Sequence, residues 1–204
     1  MKLYAVNEIF YSLQGEGIRA GTANIFVRFA GCNLKCSKDD PESGFDCDTE
    51  FNSFEKITAK MLVEKATSMS FCRNVIFTGG EPGAQLDAEL IAEFRKQGKY
   101  HLAIETNGTF ALPDDLDWIT VSPKSAMHTL RQKRANEVKL VRHAGQMPIS
   151  GIQQIVEADY YLLSPAFNAD GSIDQDALRH CIELVKTNPT WRLSVQQHKY
   201  WRVR

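Results

Sequence analysis

Short apolar and β-branched runs recur down the chain at 25–29, 74–77, 102–104, 118–121, 137–141, 160–163 and 191–195. Runs of this length and composition read as strands buried on both faces. Helical patterns lie between several of them. At 87–97 the apolar residues are Leu90, Ile91 and Phe94, with Gly98 placed as a stop. After the cap candidate Asp174, residues Leu178, Cys181, Ile182 and Val185 fall at i, i+3, i+4 and i+7. Strands alternating with helices imply right-handed crossovers and a mainly parallel sheet. At 204 residues the chain is shorter than the ~250 of a complete eight-fold β/α barrel. The predicted fold is therefore α/β, an open or partial β/α barrel, in one domain spanning 1–204. A chain with 43% hydrophobic residues is able to bury a core of that size.

Polar motifs follow directly on the apolar runs. Thr78, Gly79, Gly80, Glu81 and Pro82 follow Phe77; Glu105, Thr106, Asn107 and Gly108 follow Ile104; Ser122, Pro123 and Lys124 follow Val121. Ser164, Pro165, Ala166 and Phe167 end the run at 160–163 in the same way. In parallel α/β architectures the loops that bind and react gather at the carboxyl ends of the strands. All these motifs should share one rim, and the cysteine-bearing segment after Phe29 joins it.

A formal net charge of -1 gives no broad electrostatic footprint for a nucleic acid or an anionic membrane surface, so no direct nucleic-acid partner is expected and a small-molecule ligand is the default. The N-terminus carries no apolar core flanked by positive charge, and no stretch approaches the length of a membrane span, so the expected location is cytoplasmic. Five cysteines, three of them between positions 32 and 47, do not resemble a disulfide framework and point to a metal or a reactive thiol.

Cys32, Cys36 and Cys47 lie in one loop after a strand, so three thiolates can converge on one centre. A structural zinc site normally closes with four ligands. A 4Fe-4S cluster held by three cysteines leaves one iron open, able to chelate the amino and carboxylate groups of S-adenosylmethionine. On spacing alone a zinc site completed by His101, His128 or a carboxylate remains open beside it. Cys72 reads as a core thiol, and Cys181 lies on the apolar stripe of its helix.

The chain resembles the radical S-adenosylmethionine family, and within it the branch that contracts a carboxylated pterin to a deazaguanine. The segments that carry the resemblance are Asn7 to Phe10, Ser12 to Gly17, Phe26 to Leu34, Cys47 to Thr49, the motifs at 78–82, 105–108 and 122–124, and the closing 191–200. At the cluster the usual spacing is C-x3-C-x2-C with an aromatic residue before the third cysteine. Here ten residues separate Cys36 from Cys47 and Asp46 stands in the aromatic position, so 37–46 is an insertion.

The resemblance implies a 4Fe-4S cluster on Cys32, Cys36 and Cys47, with S-adenosylmethionine as cosubstrate and Mg²⁺ on Thr49. It places Asp48, Gly79, Gly80, Glu81, Glu105, Asn107, Ser122, Pro123, Lys124 and 164–167 (Ser164, Pro165, Ala166, Phe167) around S-adenosylmethionine. For the pterin, Leu13, Gln14, Gly15 and Glu16 supply partners for an amino-pyrimidinone edge and Arg28 a cation for the carboxylate. Thr78, His198 and Arg204 join them, the tail 196–204 acting as a lid or rim. The implied reaction converts 6-carboxy-5,6,7,8-tetrahydropterin to 7-carboxy-7-deazaguanine with loss of ammonia. A flavodoxin- or ferredoxin-type electron donor and a homodimer are implied with it. The rival expectations are a radical activase of a partner protein and a zinc-bound module without catalysis.

Overall fold

The computed structural model describes residues 2–37, 47, 52–146, 151–168 and 170–204. All seven apolar runs form strands: β2 (Ala23–Phe29), β4 (Asn74–Gly79), β5 (His101–Thr106), β6 (Trp118–Val121), β7 (Arg134–Arg142), β8 (Glu157–Pro165) and β9 (Trp191–Leu193). Two further strands, β1 (Tyr4–Leu13) and β3 (Glu55–Ile57), complete a nine-stranded sheet in the order β3-β1-β2-β4-β5-β6-β7-β8-β9. From β2 to β9 every neighbouring pair is parallel, while β1 pairs antiparallel with β2 and with β3. The sheet does not close on itself, so the predicted open barrel is what forms.

Helices α1 (Ala59–Met69), α2 (Ala88–Lys96) and α4 (Gln175–Thr187) cover the convex face with the short helix α3 (Ile152–Ile155), and a second short helix, α5 (Gln197–Trp201), lies against the β1–β2 hairpin loop. Each long helix starts on a side-chain cap that satisfies orphan N–H groups. Thr58 Oγ1 accepts from Met61 N at 3.3 Å, Asp87 Oδ1 from Leu90 N at 3.0 Å, and Asp174 Oδ1 from Ala177 N at 3.0 Å. Gly98, at φ 127°, follows the last turn of α2 as its pattern predicts.

Strand residues alternate between two faces, and so divide the core. Val27, Phe29, Val75, Phe77, Leu102 and Ile104 pack outward against Leu62, Ala66, Leu90 and Phe94 of α1 and α2. Val121, Val138 and Leu163 pack outward against Cys181 of α4 and Ile152 of α3. Cys181 is fully buried in this layer, as its helical spacing predicts, and burial pushes its thiol up to about 11. Cys72 packs against the first layer and donates to the Ala23 carbonyl at 3.2 Å. The inward residues of the same strands are left to build the concave face.

Candidate active site

Strand register lines up one inward residue from each strand, which gives the concave face horizontal layers. The lowest is apolar: Phe10 stands opposite Phe26, Phe26 opposite Ile76, Ile76 opposite Ala103, and Ala103 opposite Trp118. Phe10 and Phe26 stack with centroids 4.9 Å apart. One step toward the carboxyl ends of the parallel strands, the inward residue of every strand in the row is polar, Glu8 of the antiparallel β1 included. Glu8 pairs with Arg28, Arg28 with Thr78, Glu105 with Thr120, and Thr120 with Glu137. Thr78 Oγ1 completes the row by donating to Glu105 Oε2 at 3.0 Å.

Arg28 thus points inward, onto the apolar floor. Its guanidinium lies 5.5 Å from the Phe10 centroid and its Nε donates to Glu8 Oε1 at 2.9 Å. Arg204 reaches the same place from the chain end, 2.5 Å from the other Glu8 oxygen and 5.4 Å from the Phe10 centroid. Counted over side chains, two guanidiniums on one carboxylate leave one positive charge in excess. Such a site takes one more carboxylate.

The β1–β2 hairpin loop crosses the concave face above this row. Gln14 Nε2 donates to Glu105 Oε1 at 2.6 Å, Gly17 N to Ser194 Oγ at 2.9 Å, and Ile18 N to Glu137 Oε2 at 2.9 Å. Lys139 pairs with Glu16. The tail secures the loop from the other side: Gln197 N donates to the Gly15 carbonyl at 2.8 Å, and a Cβ on Gly15 would stand 2.1 Å from His198 Nδ1. Leu13, Gln14, Gly15, Glu16, Arg28, Thr78, Glu105, His198 and Arg204 are therefore neighbours on one surface.

At the rim, the cysteine loop and the glycine motif touch backbone to backbone. Gly80 N donates to the Phe29 carbonyl at 3.1 Å and Glu81 N to the Gly31 carbonyl at 2.9 Å. A Cβ on Gly80 would lie 2.0 Å from the Gly31 oxygen and 3.0 Å from the Cys32 nitrogen. No residue but glycine fits there. Glu81 is fully buried and spends both oxygens on protein: Oε1 accepts from Gly83 N at 2.7 Å and Thr106 Oγ1 at 2.6 Å, Oε2 from Asn107 N at 2.7 Å. Burial pushes its carboxyl up against the pull of these donors. Asn107 is spent likewise, donating to Asn33 Oδ1 at 3.1 Å and accepting from Thr109 Oγ1 at 2.7 Å, which ties the cysteine loop to the end of β5. Lys124 Nζ donates to Ser122 Oγ at 2.7 Å after β6, and the Lys199 ammonium lies 4.2 Å from the Phe167 centroid after β8.

Cys32 and Cys36 are partly buried and Cys47 is exposed. Burial pushes the Cys32 thiol up, and the charges of Glu81 and Cys47 push the same way. Among the described residues no three His, Cys, Asp or Glu side chains stand close enough together to hold a metal ion. Asp48, Thr49 and all of the 37–46 insertion except Ser37 lie outside the described residues. The donor chemistry fits an iron-sulfur centre: three soft thiols belong to one stretch of chain after β2, and its start at Gly31 and Cys32 is packed against Gly80.

The family profile described as a 4Fe-4S single cluster domain matches residues 13–113. A 7-carboxy-7-deazaguanine synthase of Bacteroides thetaiotaomicron is 41% identical over 199 residues, covering 98% of each chain. One of Haemophilus influenzae is 38% identical over 207 residues, covering 96% of this chain and 92% of that one. The chain belongs to the 7-carboxy-7-deazaguanine synthase family. Among solved structures, QueE from Escherichia coli aligns with a TM-score of 0.69 at 26% identity, over 96% of this chain and 95% of that one. The synthase family is a radical S-adenosylmethionine family, so the sequence resemblance and the fold agree. Sequence reasoning missed the inward side chains that hold the hairpin loop in this synthase fold, namely Glu137, Lys139 and Ser194, and Arg19 beside them. A polar residue within an apolar strand carries no sign of which face it takes. For Glu137 the register with Thr120, itself opposite Glu105, tells.

Proposed function

We propose that this chain converts 6-carboxy-5,6,7,8-tetrahydropterin to 7-carboxy-7-deazaguanine with loss of ammonia, in queuosine-type deazapurine biosynthesis. The observation that carries this reading is the polar row over an apolar floor, with a spare positive charge at one end and amide and carboxylate groups at the other. A flat, amphipathic bicycle bearing one carboxylate matches that layout.

In this reading Arg28, supported by Arg204, neutralises the substrate carboxylate, and Phe10 and Phe26 form the dry floor beneath. Gln14, Glu16 and Thr78 take the amino-pyrimidinone edge, with His198 closing behind Gly15; Glu105, which the sequence resemblance sets beside S-adenosylmethionine, accepts from Gln14 and Thr78 and so braces this edge. At the rim Gly79 and Gly80 admit the amino group of S-adenosylmethionine to the backbone. Ser122, Pro123 and Lys124, with 164–167, line its remaining length. Glu81 and Asn107 act by holding these loops. Cys32, Cys36 and Cys47 would hold the cluster as thiolates, so loading it releases their thiol protons. When bound, the cluster and its cosubstrate supply one-electron reduction and a carbon radical able to take a hydrogen atom. Thr49 is assigned to Mg²⁺, which prefers oxygen ligands and retains waters. The chain's own contribution is positioning, charge neutralisation and exclusion of water. A homodimer and a flavodoxin- or ferredoxin-type electron donor belong to the same reading.

The test is anaerobic incubation of reconstituted protein with reductant, S-adenosylmethionine and the pterin. The expected result is 7-carboxy-7-deazaguanine and ammonia, with Cys32→Ala losing both iron and turnover. Colourless, zinc-loaded protein that leaves S-adenosylmethionine intact would sink the reading. Deoxyadenosine without any conversion of the pterin would favour the activase.

A further inference from the structure

Strand β7 carries none of the sequence motifs, yet it sends two inward side chains, Glu137 and Lys139, onto the hairpin loop. Glu137 Oε1 accepts from Thr120 Oγ1 at 2.9 Å and its Oε2 from Ile18 N at 2.9 Å. Two residues on, Lys139 pairs with Glu16, and each of these two side chains is only 12% exposed. Between them Gly17, at φ 72°, passes so close that a Cβ would meet Glu137 Oε1 at 2.3 Å. The Glu16 N–H also donates to Gln14 Oε1 at 3.1 Å, so Glu16 and Gln14 are oriented together.

Burying an ammonium and a carboxylate costs several kcal/mol per ion before their attraction is counted, so an apolar pair serves stability as well or better. Specificity of arrangement is what such a pair supplies. We propose that Lys139 is a positioning residue of the pterin site: its buried ammonium holds the Glu16 carboxylate, and with it the loop 14–17, in the binding arrangement before the substrate arrives. This rests on the reading of Glu16 as a pterin ligand. Glu137 fixes the backbone of the loop, and Lys139 fixes its side chain. Preorganisation of this kind lowers the cost of binding without adding a contact to the ligand.

The experiment is a double-mutant cycle on the pterin KM with Lys139→Met, Glu16→Gln and the pair combined. Lys139→Met should raise KM roughly 10- to 100-fold, as misplacement of a binding group does. Iron content and S-adenosylmethionine cleavage without pterin should remain within about two-fold of wild type, because the cysteine rim is untouched. In the Glu16→Gln background the same substitution should add nothing, because Lys139 acts through Glu16. Lys139→Arg keeps the charge and should restore most of the affinity. Wild-type KM in Lys139→Met, or full additivity in the cycle, overturns the proposal. Should Lys139→Met fail to fold, Glu16→Gln and the double variant decide alone, since the double variant buries no unpaired ion. Equal KM values support the proposal, and a further ten-fold rise in the double variant sinks it. Wild-type protein that makes no product sinks the functional reading itself, before any variant is compared.

Discussion

At the scale of single residues, the chemistry of the rim depends on which polar groups are already committed. Sequence places Glu81 beside the cation of S-adenosylmethionine, yet three protein donors occupy its two oxygens in a fully buried setting. Its role is to brace the turn that brings Gly80 against Gly31. Glu81→Gln keeps one acceptor oxygen and turns an amide N–H toward the N–H of Asn107, leaving two donors face to face. That mismatch costs about 1–3 kcal/mol. Urea unfolding of the protein without cofactors should show the loss directly. A variant as stable as wild type would mean the carboxylate is not bracing the loop. The motif residues were legible in the sequence by kind and order. Their partners were not, because the bond from Asn107 to Asn33 joins positions 74 residues apart.

At the scale of elements, the seven strands β2 and β4 to β9 were legible as apolar runs, and α2 and α4 by period and cap. Strand β1 was not. A register shift between Val6 and Glu8 breaks its alternation, and its inward face carries Glu8 and Ser12. Helix α5 has five residues and no buried one, so nothing in its pattern marks it. Yet the tail joins the last strand to the first hairpin through Ser194 with Gly17, Gln197 with Gly15, and Ser12, whose hydroxyl donates to the Arg204 carbonyl at 2.8 Å. Deleting residues 197–204 removes Arg204 and the backing of Gly15 while leaving every strand of the sheet. The expected outcome is a folded protein that still loads iron and cleaves S-adenosylmethionine, with pterin kcat/KM down roughly 100-fold. Equal losses in both activities would mean the tail supports the fold and not the substrate surface.

At the scale of the whole molecule, long-range carboxylate ties set the response to acid. Asp87 caps α2 and also accepts from Lys2 at 2.6 Å and from the Tyr4 hydroxyl at 2.8 Å, locking the chain start to the second crossover. Asp117 accepts from Leu102 N at 2.7 Å and Arg95 at 3.0 Å, locking α2 to the joint of β5 and β6. Burial alone would raise both carboxyls, but the donors outweigh it and hold them below the ordinary value of ~3.9. A depressed carboxylate adds stability that is present above its unfolded value and is lost as pH falls through the folded one. Three groups act at milder acidity. Burial lowers His101, so stability falls as pH drops through ~6.5 toward its folded value, because the unfolded chain takes that proton first. Burial raises Glu81 and Glu137, so the folded state takes their protons first and gains stability as pH falls through their raised values toward ~4.3. Between neutrality and that range the His101 change opposes the Glu81 and Glu137 changes. Below about pH 4 the Asp87 and Asp117 ties are lost as well, and the loss becomes steep. Urea midpoints measured from pH 7 to pH 2 should follow that shape. The variant Asp87→Asn with Asp117→Asn should be less stable than wild type at pH 7 and converge with it at the acid end, because both proteins then carry neutral side chains at the two joints. A gap that stays constant across the range would place the acid sensitivity elsewhere in the molecule.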